Sequence, residues 1–73
     1  MPSKYPVCKP QEVIAAFKKK GYNFISQKGS HAKYGNGEHV YIIPMHEGDL
    51  KKWTLKSILE QTETSLDEFN RLR

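Results

Sequence analysis

Apolar residues recur at helical spacing near the beginning of the chain, between Pro10 and Lys20. Four of them form one stripe when the segment is drawn as a helix: Val13, Ile14, Ala16 and Phe17. Pro10 suits the first helical position, where its missing N–H is not needed, and Gly21 is a natural left-handed stop. The pattern therefore predicts a first helix over Pro10–Lys20.

The pattern then changes to short runs rich in aromatic and β-branched residues, separated by turns that contain glycine. The runs predict three strands: Tyr22–Gln27, Ser30–Tyr34 and His39–Ile43. Lys28-Gly29 is expected to form a two-residue hairpin turn, and Gly35-Asn36-Gly37 the second turn. The three strands are therefore predicted to form an antiparallel meander.

Helical spacing returns after Met45–Trp53, a segment without a clear period that we interpret as a loop. A second helix is predicted over Thr54–Gln61, and Ser65–Glu68 has the sequence of a capping box that opens a short last helix. Their apolar faces are Leu55, Ile58 and Leu59, then Leu66, Phe69 and Leu72. The order α-β-β-β-α-α predicts an α+β domain with the helices on one face of the sheet and water on the other.

The pairing of the second and third strands decides which side chains face water. A turn over Gly35–Gly37 pairs Ala32 with Val40, and Val40 and Ile42 are the residues of the third strand best suited to the core. Ala32 then faces inward with them. Four residues of these two strands are left on the exposed face: His31, Lys33, His39 and Tyr41.

The first hairpin leaves two arrangements of its first strand open. A Lys28-Gly29 turn puts Ser26 beside His31 on the exposed face. The same register turns Phe24 outward and Ile25 inward, unless a bulge in the first strand reverses them.

Length and composition exclude several classes of function. The chain of 73 residues and 8.5 kDa is predicted to be one domain, 1–73, with a flexible segment over residues 1–9. It lacks an apolar run near the ~20 residues of a membrane span and lacks a secretory signal, so a cytoplasmic protein is expected. A single cysteine and histidines at 31, 39 and 46 match no metal-ligand spacing. We expect no metal and no cofactor.

The positive charge is concentrated in the first half. Residues 1–37 hold seven lysines against Glu12, a net charge of +6, whereas residues 38–73 have a net charge of −2. A basic segment of this kind can attract phosphates or an acidic protein. A face of solvated lysines that binds nothing explains the charge equally well.

The exposed face combines side chains that suit chemistry on RNA. Histidine gives or takes a proton near neutrality, lysine holds phosphate and tyrosine can stack on a base. RNA carries its own nucleophile, the 2′-hydroxyl, so one histidine beside cations can suffice for cleavage without a metal. The alternative for His31 is a surface or packing role.

The remaining candidates are weaker. His39, next to a turn, is expected to be solvated, and His46 either orients its loop through the backbone or has a functional role. Cys8 has no identifiable base beside it and is expected to be inert. Trp53 is expected to cap the core at the junction of loop and helix rather than to stack on a base.

Three segments are distinctive when they are taken together: Gln27–Tyr34 (QKGSHAKY), Ile43–His46 (IPMH) and Thr54–Gln61 (TLKSILEQ). They resemble the HicA (YcfA-like) toxins of bacterial toxin–antitoxin pairs, and the likeness runs from about Pro10 to Phe69. The resemblance implies a fold like the double-stranded-RNA-binding domain and an endoribonuclease that cleaves mRNA and arrests translation, with His31 essential. It also implies a HicB-type antitoxin that covers the active surface.

Together, the face and the resemblance give a specific hypothesis. His31 is the predicted catalytic residue of a metal-independent nuclease, in a toxin that is monomeric when free. The predicted RNA contacts are Lys28, Ser30, Lys33, Tyr41 and His46. Two positions depart from the family pattern, because Ser26 stands where many relatives carry arginine and Trp53 where relatives often carry glycine.

Two other functions remain open at this point. The layer order and the basic half are equally suited to a non-catalytic RNA-binding module of double-stranded-RNA-binding type. They are also suited to a surface that docks an acidic protein.

Overall fold

A computed structural model describes residues 5–73, in which three helices pack on one face of a three-stranded sheet. The helices are α1 (Pro10–Lys18), α2 (Lys52–Gln61) and α3 (Leu66–Leu72). The strands are β1 (Asn23–Lys28), β2 (His31–Gly35) and β3 (Val40–Pro44), antiparallel in the order β1-β2-β3. The structure confirms the predicted order α-β-β-β-α-α and an α+β fold like that of the double-stranded-RNA-binding domain.

Local signals place most element ends close to their predicted positions. α1 ends at Lys18, and the chain leaves it through Gly21, whose φ of 86° lies in the left-handed region. The hydroxyl of Ser65 accepts a hydrogen bond from the N–H of Glu68 at 3.1 Å, which caps α3 as predicted. α2 begins at Lys52, earlier than expected, so Trp53 belongs to the helix.

The N-terminal segment that was predicted to be flexible, residues 1–9, falls partly outside the described residues, which begin at Tyr5. Its later part makes specific contacts. Cys8 is buried, and its carbonyl accepts a hydrogen bond from the N–H of Leu50 at 2.8 Å. Burial raises the pKa of the Cys8 thiol, which fits the expectation that this cysteine is inert.

The predicted pairing of β2 with β3 is wrong. Ala32 pairs with Ile43 rather than with Val40, a shift of three residues along β3. Successive side chains of a strand point to opposite faces, so an odd shift moves every side chain of β3 to the other face.

Asn36 causes this shift. Its side-chain oxygen accepts hydrogen bonds from the N–H groups of Glu38 and His39, at 2.9 and 2.7 Å. The N–H of Asn36 in turn donates to the carbonyl of His39 at 3.1 Å. These bonds hold residues 36–39 in a closed loop, so the turn is longer than the Gly35–Gly37 turn that the sequence predicts.

The shift places Tyr41 and Ile43 in the core and turns Val40 and Ile42 to the outer face, the reverse of the prediction. Tyr41 and Ile43 are 0% exposed, whereas Val40 and Ile42 are 41% and 46% exposed. All four residues are apolar, so alternation alone does not distinguish the two faces. Packing favours the arrangement that buries the aromatic ring.

Tyr41 lies at the centre of an aromatic cluster. Its ring centroid is 5.1–5.6 Å from the ring centroids of Phe17, Tyr22 and Tyr34. Within residues 5–73 its buried hydroxyl has no hydrogen-bond partner, and burial raises the pKa of Tyr41 well above its ordinary value. The prediction that Tyr41 lies on the exposed face, in contact with RNA, is therefore wrong, because Tyr41 is in the core.

The first hairpin contains the bulge that the sequence left open, between Phe24 and Ser26. The Phe24 ring packs edge-on against Tyr34 on the helix side of the sheet, at 5.7 Å between centroids. Ile25 lies on the outer face beside Gly35. Any residue other than glycine at position 35 would place its Cβ only 2.7 Å from the Cδ1 of Ile25. Gly35 is therefore the residue that leaves room for Ile25.

None of the helices within residues 5–73 combines the length and the apolar character needed to cross a bilayer.

Candidate active site

The outer face of the sheet carries an open depression of about 600 Å³. All three strands contribute side chains to its lining: Ser26, Lys28, His31, Lys33 and Ile42. Ser26 pairs with Lys33, and Lys33 pairs with Ile42, so these residues form one row across the sheet. The depression thus depends on strand pairing and not on loops.

His31 lies at the start of β2, next to the tight turn that connects it to β1. The turn residues are Gly29, with a φ of 60°, and Ser30, rather than the predicted Lys28 and Gly29, so Lys28 and not Ser26 is the direct partner of His31. Within residues 5–73 the His31 ring makes no hydrogen bond. Both of its ring nitrogens are therefore available to a bound molecule.

The charge around His31 is positive. Lys28 is directly opposite His31, and Lys33 lies two positions further along the same face of β2. Side chains at such positions have Cβ atoms roughly 4.5–8 Å apart, within reach of one phosphodiester. The lining described above includes no carboxylate, so no internal anion neutralises the two ammonium groups.

The other two histidines are occupied by contacts elsewhere. His39 Nε2 is 2.7 Å from Glu63 Oε2, in a hydrogen bond between the β2–β3 loop and the segment that follows α2. His46 Nδ1 is 3.0 Å from the carbonyl oxygen of Glu47. The structure therefore does not bring His39 or His46 into the depression around His31.

His46 lines a second depression, together with Lys9, with Gln11 of α1 and with its own loop. The hydrogen bond between His46 and the Glu47 carbonyl corresponds to one of the two roles expected for this residue, the orientation of its loop through the backbone. This loop still begins beside the candidate site, because the N–H of Met45 donates to the carbonyl of Ser30. Ser30 itself is exposed in the hairpin turn, next to His31.

Trp53 does not cap the core, contrary to the interpretation of the sequence. Its side chain is 68% exposed, and the ammonium of Lys51 lies 5.0 Å from the ring centroid. Leu50 and Leu55 precede and follow Trp53 in the sequence. Both are buried, and they close the core at this point.

Ile42 is the lining residue that the sequence does not indicate, because the predicted register places it in the core. The signal was present in Asn36, an asparagine followed by glycine that can fix a longer loop through its side chain. Trp53 was also misjudged, and nothing in its local sequence separates a buried from an exposed tryptophan. Within residues 5–73, no three His, Cys, Asp or Glu side chains lie close enough together to hold a metal ion.

A family model described as the HicA toxin of bacterial toxin–antitoxin matches residues 10–63, which is more than half of the chain and includes every residue of the depression. The chain belongs to the HicA toxin family. This HicA protein is accordingly the toxin of a toxin–antitoxin system and pairs with an antitoxin. No curated protein matches the sequence of the chain.

Proposed function

We propose that this HicA toxin is an endoribonuclease that cleaves mRNA in the cytoplasm and arrests translation, with His31 as its catalytic residue. The observation that carries the proposal is the unpaired His31 ring, exposed on the sheet between Lys28 and Lys33. An imidazole with two free nitrogens beside two cations suits general acid–base catalysis at a phosphodiester.

The chemistry follows from the nucleophile that RNA supplies. His31 takes the proton of a 2′-hydroxyl, and the 2′-oxygen forms a bond to the adjacent phosphorus. The bond from phosphorus to the 5′-oxygen then breaks, and the leaving oxygen takes a proton from water. The products are a 2′,3′-cyclic phosphate and a 5′-hydroxyl end, while Lys28 and Lys33 stabilise the additional negative charge on the phosphorane.

The other predicted contacts have unequal support. Ser30 adjoins His31 in the hairpin turn, which suits an orienting contact with the RNA backbone. His46 lies in the loop that starts at the Ser30 carbonyl, so an RNA strand leaving the depression would reach it. Ser26 faces Lys33 where relatives often have arginine, and Lys33 is the cation that supplies charge at this point.

A comparison of sugar chemistries tests the proposal. We expect the purified toxin to cut an RNA oligonucleotide and to leave cyclic phosphate ends. Its 2′-O-methyl counterpart, which lacks the nucleophile, should stay uncut, and a chelator should leave the rate unchanged. Cleavage of both oligonucleotides at similar rates would contradict the role of the 2′-hydroxyl.

The rival function is a non-catalytic RNA-binding module, which the same basic depression supports. Such a module binds RNA with an affinity that falls steeply with salt, because Lys28 and Lys33 displace counterions from phosphate. It releases no products. RNA binding by the toxin without cleavage of either oligonucleotide would favour this function.

We further propose that the antitoxin is of the HicB type and covers the outer face. Three branched apolar side chains are exposed there, Ile25, Val40 and Ile42, at 41–52%. They adjoin Lys33 through its pairing with Ile42. A contiguous apolar patch next to cations suits a protein partner that offers apolar and acidic side chains together.

Val40→Glu is expected to weaken antitoxin binding by about tenfold or more, since it places a charge in the apolar part of the interface. Val7→Glu is the matched control, because Val7 is an exposed valine outside this face. Titration calorimetry on the separate proteins measures both. Equal affinities for the two variants would remove the outer face from the interface.

A further inference from the structure

Trp53 is the most exposed large aromatic side chain within residues 5–73, and packing does not explain its position. Its side chain is 68% exposed at the start of α2, where a polar residue would maintain the helix equally well. A tryptophan on a protein surface is enriched where it contacts another molecule. Its partner can be inferred from the surrounding charge and from its place in the fold.

The surroundings of Trp53 are basic. Lys51 lies over the ring, Lys52 precedes it, and Lys56 follows on the same side of α2. The first turn of α2 contains no acidic residue. Cations at the start of a helix are unfavourable to its dipole, so Lys51 and Lys52 do not serve the stability of α2.

The topology places Trp53 at the same end of the domain as His31. The segment directly after α2 is held at the β2–β3 loop by the hydrogen bond between Glu63 and His39. α2 packs against β3, and the ten residues of the helix span roughly the same 15 Å as the five residues of the strand. The start of α2 therefore lies near Pro44, which pairs with His31.

We propose that Trp53 is a base-stacking residue for single-stranded RNA, at a second contact outside the His31 depression. One nucleotide stacks on the open part of the indole, and Lys51 and Lys52 contact its phosphates. Aromatic rings interleaved with lysines form the usual platform for single strands, because every base offers a π-face. This inference rests on the proposed ribonuclease function and names how the same strand is held beyond the scissile bond.

Trp53 is the only tryptophan of the chain, so its fluorescence reports on this position alone. The probe is a 2′-O-methyl oligoribonucleotide of about twelve nucleotides, which the toxin can bind but not cleave. We expect binding to quench the fluorescence of Trp53. Trp53→Ala should weaken binding by about 5- to 150-fold, the loss expected for one stacked base, and Trp53→Phe should weaken it much less.

Phe24→Ala is the matched control. Phe24 is a second exposed aromatic, 56% exposed, but it pairs with Tyr34 toward the opposite end of the hairpin. Its replacement should leave the affinity for the oligonucleotide unchanged. The anisotropy of a dye on the oligonucleotide measures the affinity of each variant independently of tryptophan.

The outcomes separate this inference from the proposed function. An oligonucleotide that binds without quenching Trp53, and equally to Trp53→Ala, overturns the stacking contact and leaves cleavage at His31 untouched. A change in Trp53 fluorescence on adding antitoxin, with none on adding RNA, overturns it in favour of a protein contact. The absence of both RNA binding and cleavage overturns the stacking contact and the proposed function together.

Discussion

Replacing His31 with alanine is expected to slow RNA cleavage by about 10²- to 10⁴-fold, the usual contribution of a general acid or base. His31 is exposed, and its ring makes no hydrogen bond within residues 5–73, so the variant loses no internal hydrogen bond. Its free energy of unfolding should stay within about 0.5 kcal/mol of the wild-type value. The cleavage rate on an RNA oligonucleotide and a urea titration measure the two effects.

Two variants make this experiment specific. His31→Gln keeps a polar side chain of similar length that cannot take up the proton, and we expect it to be as inactive as His31→Ala. His39→Ala removes a histidine that is paired with Glu63 at the other end of β3, and it should cleave at the wild-type rate. Retained cleavage by a folded His31→Ala protein would eliminate His31 as the catalytic residue.

Tyr41→Ala should have the largest effect on stability. It removes a ring that is fully buried between Phe17, Tyr22 and Tyr34, at a cost of about 3–5 kcal/mol. A domain of this size has a free energy of unfolding of roughly 4–11 kcal/mol, so the variant is expected to lose a large part of its stability and to unfold at a much lower urea concentration than the wild type. Urea unfolding followed by circular dichroism measures the loss.

Tyr41→Phe separates the hydroxyl from the ring. Because the hydroxyl has no hydrogen-bond partner within residues 5–73, its removal should raise the free energy of unfolding by about 1 kcal/mol. RNA cleavage should not change, since position 41 is in the core and not on the outer face. A lower free energy of unfolding for Tyr41→Phe would indicate that the hydroxyl does have a hydrogen-bond partner. Slower RNA cleavage would indicate that Tyr41 contributes to the active site.

Alkaline pH gives an independent measure of the same group. Burial raises the pKa of Tyr41, so the folded protein keeps the hydroxyl neutral while the unfolded chain ionises above about pH 10. The unfolded state then binds fewer protons, and the free energy of unfolding falls as pH rises, by up to about 1.4 kcal/mol per pH unit. Tyr41→Phe should lose less stability above pH 10, because Tyr22 and Cys8, whose pKa values burial also raises, still contribute while position 41 does not.

The helices and the strand order follow from local signals that the structure confirms. Pro10 begins α1, the chain leaves it through Gly21, and Ser65 caps α3 through the N–H of Glu68. Each of these effects acts over a few neighbouring residues, so the sequence contains everything that is needed to predict it. The order α-β-β-β-α-α then limits the fold, because a short antiparallel sheet needs the helices on one face.

The composition of the site could be predicted only in part. Lys28, His31 and Lys33 were identified because they lie close together in sequence, around one tight turn. Ile42 was missed and Tyr41 wrongly included, because both depend on which face of β3 turns outward. Val40, Tyr41, Ile42 and Ile43 form an unbroken apolar run, in which either alternate pair can enter the core.

The sequence by itself determined the elements, their order and the basic histidine hairpin, since propensity, capping and turn chemistry are local. Only the tertiary structure decided the register of β3, through the loop that Asn36 closes and through the space for Tyr41 beside Phe17. It alone decided that His39 is held by Glu63 and that Trp53 is exposed. These outcomes depend on contacts between residues far apart in the chain, whose energies a sequence pattern does not contain.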